Sequence, residues 1–184
     1  MSDAIVLLDM VNDFVTGKIA AERAQRIIPT LGDELLPAAR EHGVRVVYVN
    51  DAHRPEDLEL DVWGEHAMRG TEGADVIPEL APTEADDVFE KRFYDGFHET
   101  GLDHHLRSLG VDRVVVAGLH TNMCVRHTSA SAFFRGYDVL VPEDCVDAFS
   151  EDDHERGLDY LEDVYGAEIS TAADVVDEWN DAAA

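Results

Sequence analysis

Apolar and β-branched residues gather along this chain in six short runs: Ala4–Asp9, Val44–Asn50, Asp87–Phe89, Arg113–Gly118, Tyr137–Val141 and Ala167–Ser170. Most are continuously apolar rather than alternating, as expected of strands covered on both faces. Between them, apolar positions recur at helical spacing over about Ala20–His42, Gly101–Leu109, Asn122–Arg135 and Asp152–Tyr165. A last helix is predicted over about Ala172–Trp179, after the sixth strand. Gly43, Gly110, Gly136 and Gly166 each stand just past a helical segment, where a left-handed residue ends a helix, and Thr171 is placed to cap the last one. Repeated strand–helix alternation predicts an α/β fold, with helices on both faces of a parallel sheet. We find no internal repeat and no linker, so residues 1–184 read as one domain.

In such a sheet, ligands bind beyond the carboxyl ends of the strands. The residues there are Asp9, Asn50–His53, Lys91 and Cys124. Cys124 opens a helix six residues after Gly118 stops the fourth run. Backbone N–H groups at a helix start lower a thiol's pKa and can bind an oxyanion. A cysteine so placed reads as a nucleophile, against the alternative of a small core residue. Asp9 either takes the thiol proton or caps the turn that follows it. Lys91 is one of only two lysines, and a compact cation kept beside a strand end points to a role in the site.

The segment Asp51–Asp86 has little periodicity and is too long for a simple connection, which suits a functional loop. Asp51 and His53 are two apart on extended chain and point the same way. With His66 they form a set suited to a divalent ion, leaving coordination positions open. Asp57 reads as a solvated charge rather than a further ligand.

Charge narrows the partners. Forty Asp and Glu stand against 14 Lys and Arg, a net charge of −26, and the acids are dispersed rather than gathered in a tail. That surface repels phosphate and excludes nucleic acid and anionic membranes as partners. It resembles the surface of a salt-adapted, haloarchaeal-type protein. No apolar run approaches membrane-spanning length. The two cysteines form no disulfide framework and the first residues carry no signal-peptide pattern, so a cytoplasmic location is expected.

Three motifs in order carry a resemblance: Leu8-Asp-Met-Val-Asn-Asp-Phe14, Lys91-Arg-Phe-Tyr-Asp-Gly-Phe97 and Gly118-Leu-His-Thr-Asn-Met-Cys-Val125. They resemble the isochorismatase-like cysteine hydrolases, and the match runs through most of the chain. Within that superfamily, Trp63-Gly-Glu-His-Ala-Met-Arg-Gly-Thr-Glu-Gly73 is similar to the nicotinamidase/pyrazinamidase branch. The resemblance implies a three-layer α/β/α fold with a six-stranded parallel sheet in the order 3-2-1-4-5-6. It implies Asp9, Lys91 and Cys124 as the catalytic set, and backbone N–H groups of His120 and Cys124 as the oxyanion hole after a cis Leu119–His120 bond. It further implies Asp51, His53 and His66 as ligands of a divalent metal, zinc first with manganese or iron as alternatives. Phe14, Trp63 and His120 would line the pocket, with core packing the alternative for the two aromatics.

The activity implied is hydrolysis of a small carboxamide through a thioester, nicotinamide to nicotinate and ammonia foremost, in NAD salvage. A carbamoyl-amide hydrolase of the N-carbamoylsarcosine type, an isochorismatase, and a non-catalytic acidic binding protein on the same fold are the alternatives. The cysteine argues against the isochorismatase reaction. The implied partner is the small-molecule amide, and a homo-oligomer is expected. The sequence departs from the pattern at Val11, where glutamine is common, and at His120, where a small residue is common.

Overall fold

The structure is a computed structural model and describes residues 2–183. Its strands are β1 (Asp3–Leu8), β2 (Arg45–Asp51), β3 (Asp87–Lys91), β4 (Arg113–Leu119), β5 (Asp138–Pro142), β6 (Val146–Asp147) and β7 (Glu168–Ser170). All pair in parallel, in the order β3-β2-β1-β4-β5-β7. The six runs read from the sequence therefore lie in the order expected. Among the described residues the sheet has seven strands rather than six, because β6 pairs Gly118 and Leu119 at the end of β4. The pairing of β4 with β5 stops at Val115 and Leu140, which leaves that end of β4 free for β6. Two residues carry no periodicity, so nothing in the sequence signals this strand.

Alternate residues of the central strands face opposite layers. Ile5, Leu7, Tyr48, Val115 and Ala117 pack with Leu31, Leu35, Val175 and Trp179 on one side. Ala4, Val6, Leu8, Val47, Val49, Val114 and Val116 pack with Leu102, Leu106, Val125 and Leu161 on the other. Both sides of the sheet are thereby removed from water, which is why the runs contain so few polar residues.

The helical segments depart from expectation where proline and tertiary contacts intervene. In place of one helix over Ala20–His42 there is a 3₁₀ turn at Glu22–Arg26, then Ile28–Thr30, a π turn at Leu31–Leu35, and Leu36–Glu41. Pro37 lacks an N–H and crowds the carbonyl four residues earlier, which widens the preceding turn. The remaining helices are Leu102–Ser108, Arg126–Phe134, Glu151–Tyr165 and Ala172–Ala183, the last extending beyond the apolar pattern that predicted it. Thr171 caps that helix by accepting from the Asp174 N–H at 3.2 Å. Short helices at Asn12–Val15 and Leu60–Trp63 were not expected. Among the described residues, no helix is long and apolar enough to cross a membrane.

The sheet register sets the site. Asp51 and Lys91 are partners across β2 and β3, and Leu8 and Gly118 across β1 and β4. Gly118 has φ +102°, and a Cβ there would collide with the Leu8 carbonyl oxygen. Glycine thus lets β4 close on β1 where Asp9 leaves the sheet.

Candidate active site

Four strand ends deliver the reactive groups. The Lys91 side chain is fully buried, its Nζ 2.8 Å from Asp9 Oδ2, 2.5 Å from Asp51 Oδ1 and 3.6 Å from Cys124 Sγ. Asp9 has φ +55°, a left-handed conformation uncommon for aspartate. Two hydrogen bonds hold it there. The Asp9 N–H donates to Asn50 Oδ1 at 3.0 Å, and Asp9 Oδ1 accepts the Asp51 N–H at 2.8 Å. Asn50, one of the strand-end residues, thus holds the Asp9 backbone in place, a contact the sequence did not specify.

Burial pushes the Asp9 carboxyl up to about 6, the charge of Asp51 adds to the rise, and Lys91 opposes it. Burial would lower the Lys91 ammonium, but Asp51 and Asp9 hold it well above its ordinary value. Burial also pushes the Cys124 thiol well above its ordinary value, against the pull of Lys91. This corrects the expectation of a thiol acidified by the helix start. Removal from water is the largest cause, so burial favours the neutral thiol and a neighbouring base would assist its ionisation. Cys124 lies in a π turn, Thr121–Val125, that leads into the helix Arg126–Phe134. The Leu119–His120 peptide before it is cis, as the resemblance implies.

Beside this set lies a second cluster. One ligand atom each from Asp51, His53, Glu59 and His66 falls within 4.8 Å of the others, and all four residues are buried. His53 Nε2 is 3.5 Å from Asp51 Oδ2 and 3.9 Å from a Glu59 oxygen. The opposite nitrogens are engaged elsewhere, His53 Nδ1 with Asp57 Oδ2 at 3.1 Å and His66 Nδ1 with the Gly64 carbonyl at 2.7 Å. Each imidazole then donates outward from Nδ1 and turns Nε2 inward, the arrangement of metal-ligating histidines. His53 Nε2 and Glu59 Oε1 are buried without a protein hydrogen-bond partner. Burial and the charge of Asp51 raise the Glu59 carboxyl to about 7, and burial lowers His66. A divalent cation would relieve both, so the residues present fit one.

Two assignments change. Glu59 joins the expected trio, which the sequence did not show because Glu59 sits in an aperiodic, acid-rich stretch. Asp57 is not a solvated charge; it is buried, bonded to Arg92, His53 and the Arg54 N–H, and held below the usual carboxylate range chiefly by Arg92. His66 is positioned by contacts the sequence did not show. His53 N–H donates to the Ala67 carbonyl, and Asp13 Oδ2 accepts the Ala67 N–H at 2.8 Å.

Phe14, Trp63, His120 and Cys124 line one narrow recess, with Asp51, Glu59 and His66 in its wall. Phe14 also belongs to the core, so the two roles open in the sequence both apply. Phe149, unforeseen, stacks between the others: its ring lies 5.9 Å from Trp63 and 4.2 Å from His120, at 18° and 24°. Trp63 Nε1 donates to the Tyr94 hydroxyl at 2.9 Å. The walls are largely aromatic, and among the described residues no lysine or arginine lines the recess.

The parallel sheet, with a carboxylate, a lysine and a cysteine gathered at its carboxyl edge, defines an α/β protein of the enzyme type. The chain matches the Isochorismatase domain over residues 3–174 and belongs to that family of hydrolases. The structure of N-carbamoylsarcosine amidase from Thermoplasma acidophilum is 42% identical, with a TM-score of 0.88 over 94% of this chain and 97% of that one. Nicotinamidase 3 of Arabidopsis thaliana is 30% identical over 84% of this chain and 78% of its own length. The pyrazinamidase of Pyrococcus horikoshii, solved in complex with zinc, is 27% identical, with a TM-score of 0.85 over 93% of this chain and 99% of that one.

Proposed function

We propose that this protein is a cysteine amidase hydrolysing a small, flat, uncharged carboxamide, with nicotinamide as its reference substrate. The observation that carries this reading is the buried Lys91 ammonium within reach of Asp9, Asp51 and Cys124, at the foot of an aromatic recess. Asp9 takes the proton of Cys124, and Sγ attacks the carboxamide carbon. The oxyanion is received by the backbone N–H groups of His120 and Cys124. Asp9 returns the proton to the leaving nitrogen, the C–N bond breaks, and ammonia departs from a thioester. Water then attacks the thioester carbon while Asp9 takes its proton. Release of the acid gives the proton back to Sγ. Lys91 keeps Asp9 ionised before the attack and stabilises the thiolate as it forms.

Asp51, His53, Glu59 and His66 would hold a divalent cation, which supplies a Lewis-acidic contact for a substrate donor atom. Two imidazoles and two carboxylates suit zinc, and the zinc-bound Pyrococcus relative supports it. His53→Ala is expected to weaken zinc retention at least about 100-fold and to raise KM, because a lost ligand costs more than the about 10–100-fold of a lost supporting residue. Glu59→Gln should act the same way, less strongly. Zinc content measured after dialysis, together with KM, checks both; unchanged values would remove the metal from the reading.

The similarity to N-carbamoylsarcosine amidase favours a second reading, a carbamoyl amide. Such a substrate carries a carboxylate, and among the described residues no lysine or arginine lines the recess to pair with it, so only the proposed cation could receive that charge. An uncharged amide fits better. The test is ammonia release from nicotinamide, with and without added zinc, manganese or iron(II), against N-carbamoylsarcosine. Release from N-carbamoylsarcosine alone would replace the first reading with the second.

The charge of −26 supports a salt-adapted protein. At 1 M salt the Debye length is about 3 Å against about 10 Å at 0.1 M, so most self-repulsion is screened. The melting temperature is expected to rise by roughly 10 °C or more between 0.1 and 2 M KCl, a few kcal/mol at this chain length. A flat melting temperature over that range would reject salt adaptation.

A further inference from the structure

His120 is 2% exposed, lines the recess, and has no protein partner for either ring nitrogen. Buried polar groups in proteins are nearly always hydrogen-bonded, so a buried imidazole with neither nitrogen engaged calls for an explanation. Packing does not supply one. The ring stacks on Phe149 at 4.2 Å and meets the Phe14 ring at 5.8 Å and 75°, contacts a phenyl ring would make as well. The metal-type cluster does not supply one either, since its donors are Asp51, His53, Glu59 and His66. The proton chain runs through Asp9, Lys91 and Cys124 without it. Burial lowers the imidazole to about 4, so the ring is uncharged and offers one donor and one acceptor.

We propose that the His120 imidazole is the specificity-determining group of the recess, hydrogen-bonding a polar substituent that the substrate carries in addition to its scissile carboxamide. This rests on the amidase reading above and narrows its substrate class. The substrate is a flat, uncharged carboxamide bearing a further hydroxyl, oxo or amino group. A site built to hydrogen-bond such a group discriminates strongly against the analogue lacking it, because the protein's own polar atoms are then left unpaired. An apolar wall at this position would discriminate only weakly.

The test compares wild type, His120→Phe and His120→Gln, all zinc-loaded, on nicotinamide and its 5-hydroxy, 6-hydroxy and 6-amino derivatives. In parallel, the ¹⁵N signals of the histidine rings are recorded in zinc-loaded Cys124→Ala with and without each amide. The His120 signals are assigned by their loss in Cys124→Ala/His120→Phe. At least one substituted amide should exceed nicotinamide by about tenfold or more in kcat/KM, with the difference in KM. His120→Phe should bring that ratio to within about threefold, His120→Gln should restore part of it, and the preferred amide should shift the His120 ring signals. A ratio unchanged in His120→Phe, an equal loss on every amide, or no preferred derivative would overturn the proposal. Ammonia from none of the four would defeat the amidase reading instead. In that case, His120 signals that still move on adding an amide keep the recognition role, and unmoved signals end both.

Discussion

Replacing Cys124 with alanine is expected to lower ammonia release by at least about 10⁴-fold, the scale on which loss of a catalytic nucleophile acts. The fold and the metal cluster should persist. Cys124 is buried, but alanine removes only its sulfur, and none of the metal-type donors Asp51, His53, Glu59 and His66 is lost. The variant's zinc content and circular dichroism should therefore match the wild type, while mass spectrometry shows no acyl adduct after mixing with nicotinamide. Activity within tenfold of wild type would sink the covalent route. The same measurement separates the enzyme from an acidic binding protein on this fold, which has no turnover to lose. Cys145 offers an internal comparison: it is buried outside the site, and burial raises its thiol as well. Only Cys124 has a cation at 3.6 Å, so its alkylation should respond to the Asp9 and Lys91 variants and that of Cys145 should not.

Lys91→Met is expected to be nearly as severe for activity and far worse for stability. It leaves the buried carboxylates of Asp9 and Asp51 facing each other without the ammonium that now bonds both. Removing one partner of a buried ionic set costs about 3–5 kcal/mol. In a chain of this length that lowers the melting temperature by roughly 10 °C. The sign of the pH effect follows from the same contacts. Lys91 holds the Asp9 carboxyl down against burial and Asp51, so its loss raises that carboxyl above about 6. Asp9 acts as a base only when ionised, so the acidic limb of kcat/KM should lie near pH 6 in the wild type and move upward in Lys91→Met. An unmoved limb with an unchanged melting temperature would show that Lys91 does not govern Asp9.

These expectations draw unequally on sequence and structure. Asp9, Lys91 and Cys124 were legible because strand runs end beside them and each belongs to a local motif. Asp51 was read from the sequence only as a candidate metal ligand. Its second oxygen on Lys91, which ties the two clusters together, depends on the register of β2 against β3. Glu59 and Phe149 were not legible at all. Each is one of many acids or aromatics in aperiodic loops, and only the folding of those loops onto the strand ends brings them to the recess. Asp57 was misread because a carboxylate's burial depends on its partner, and Arg92 lies far away in the chain.

By itself the sequence determined the layers, because continuous apolar runs alternating with helices make a parallel sheet covered on both faces; the strand order came from the resemblance carried by its motifs. The sequence also determined which strand ends carry reactive groups. The tertiary structure alone decided the protonation of those groups. Asp9 was already legible as a base for the thiol; what packing adds is the burial that pushes both the Cys124 thiol and the Asp9 carboxyl upward. Local motifs fix which atoms are present; solvation, set by everything packed around them, fixes the charges they carry.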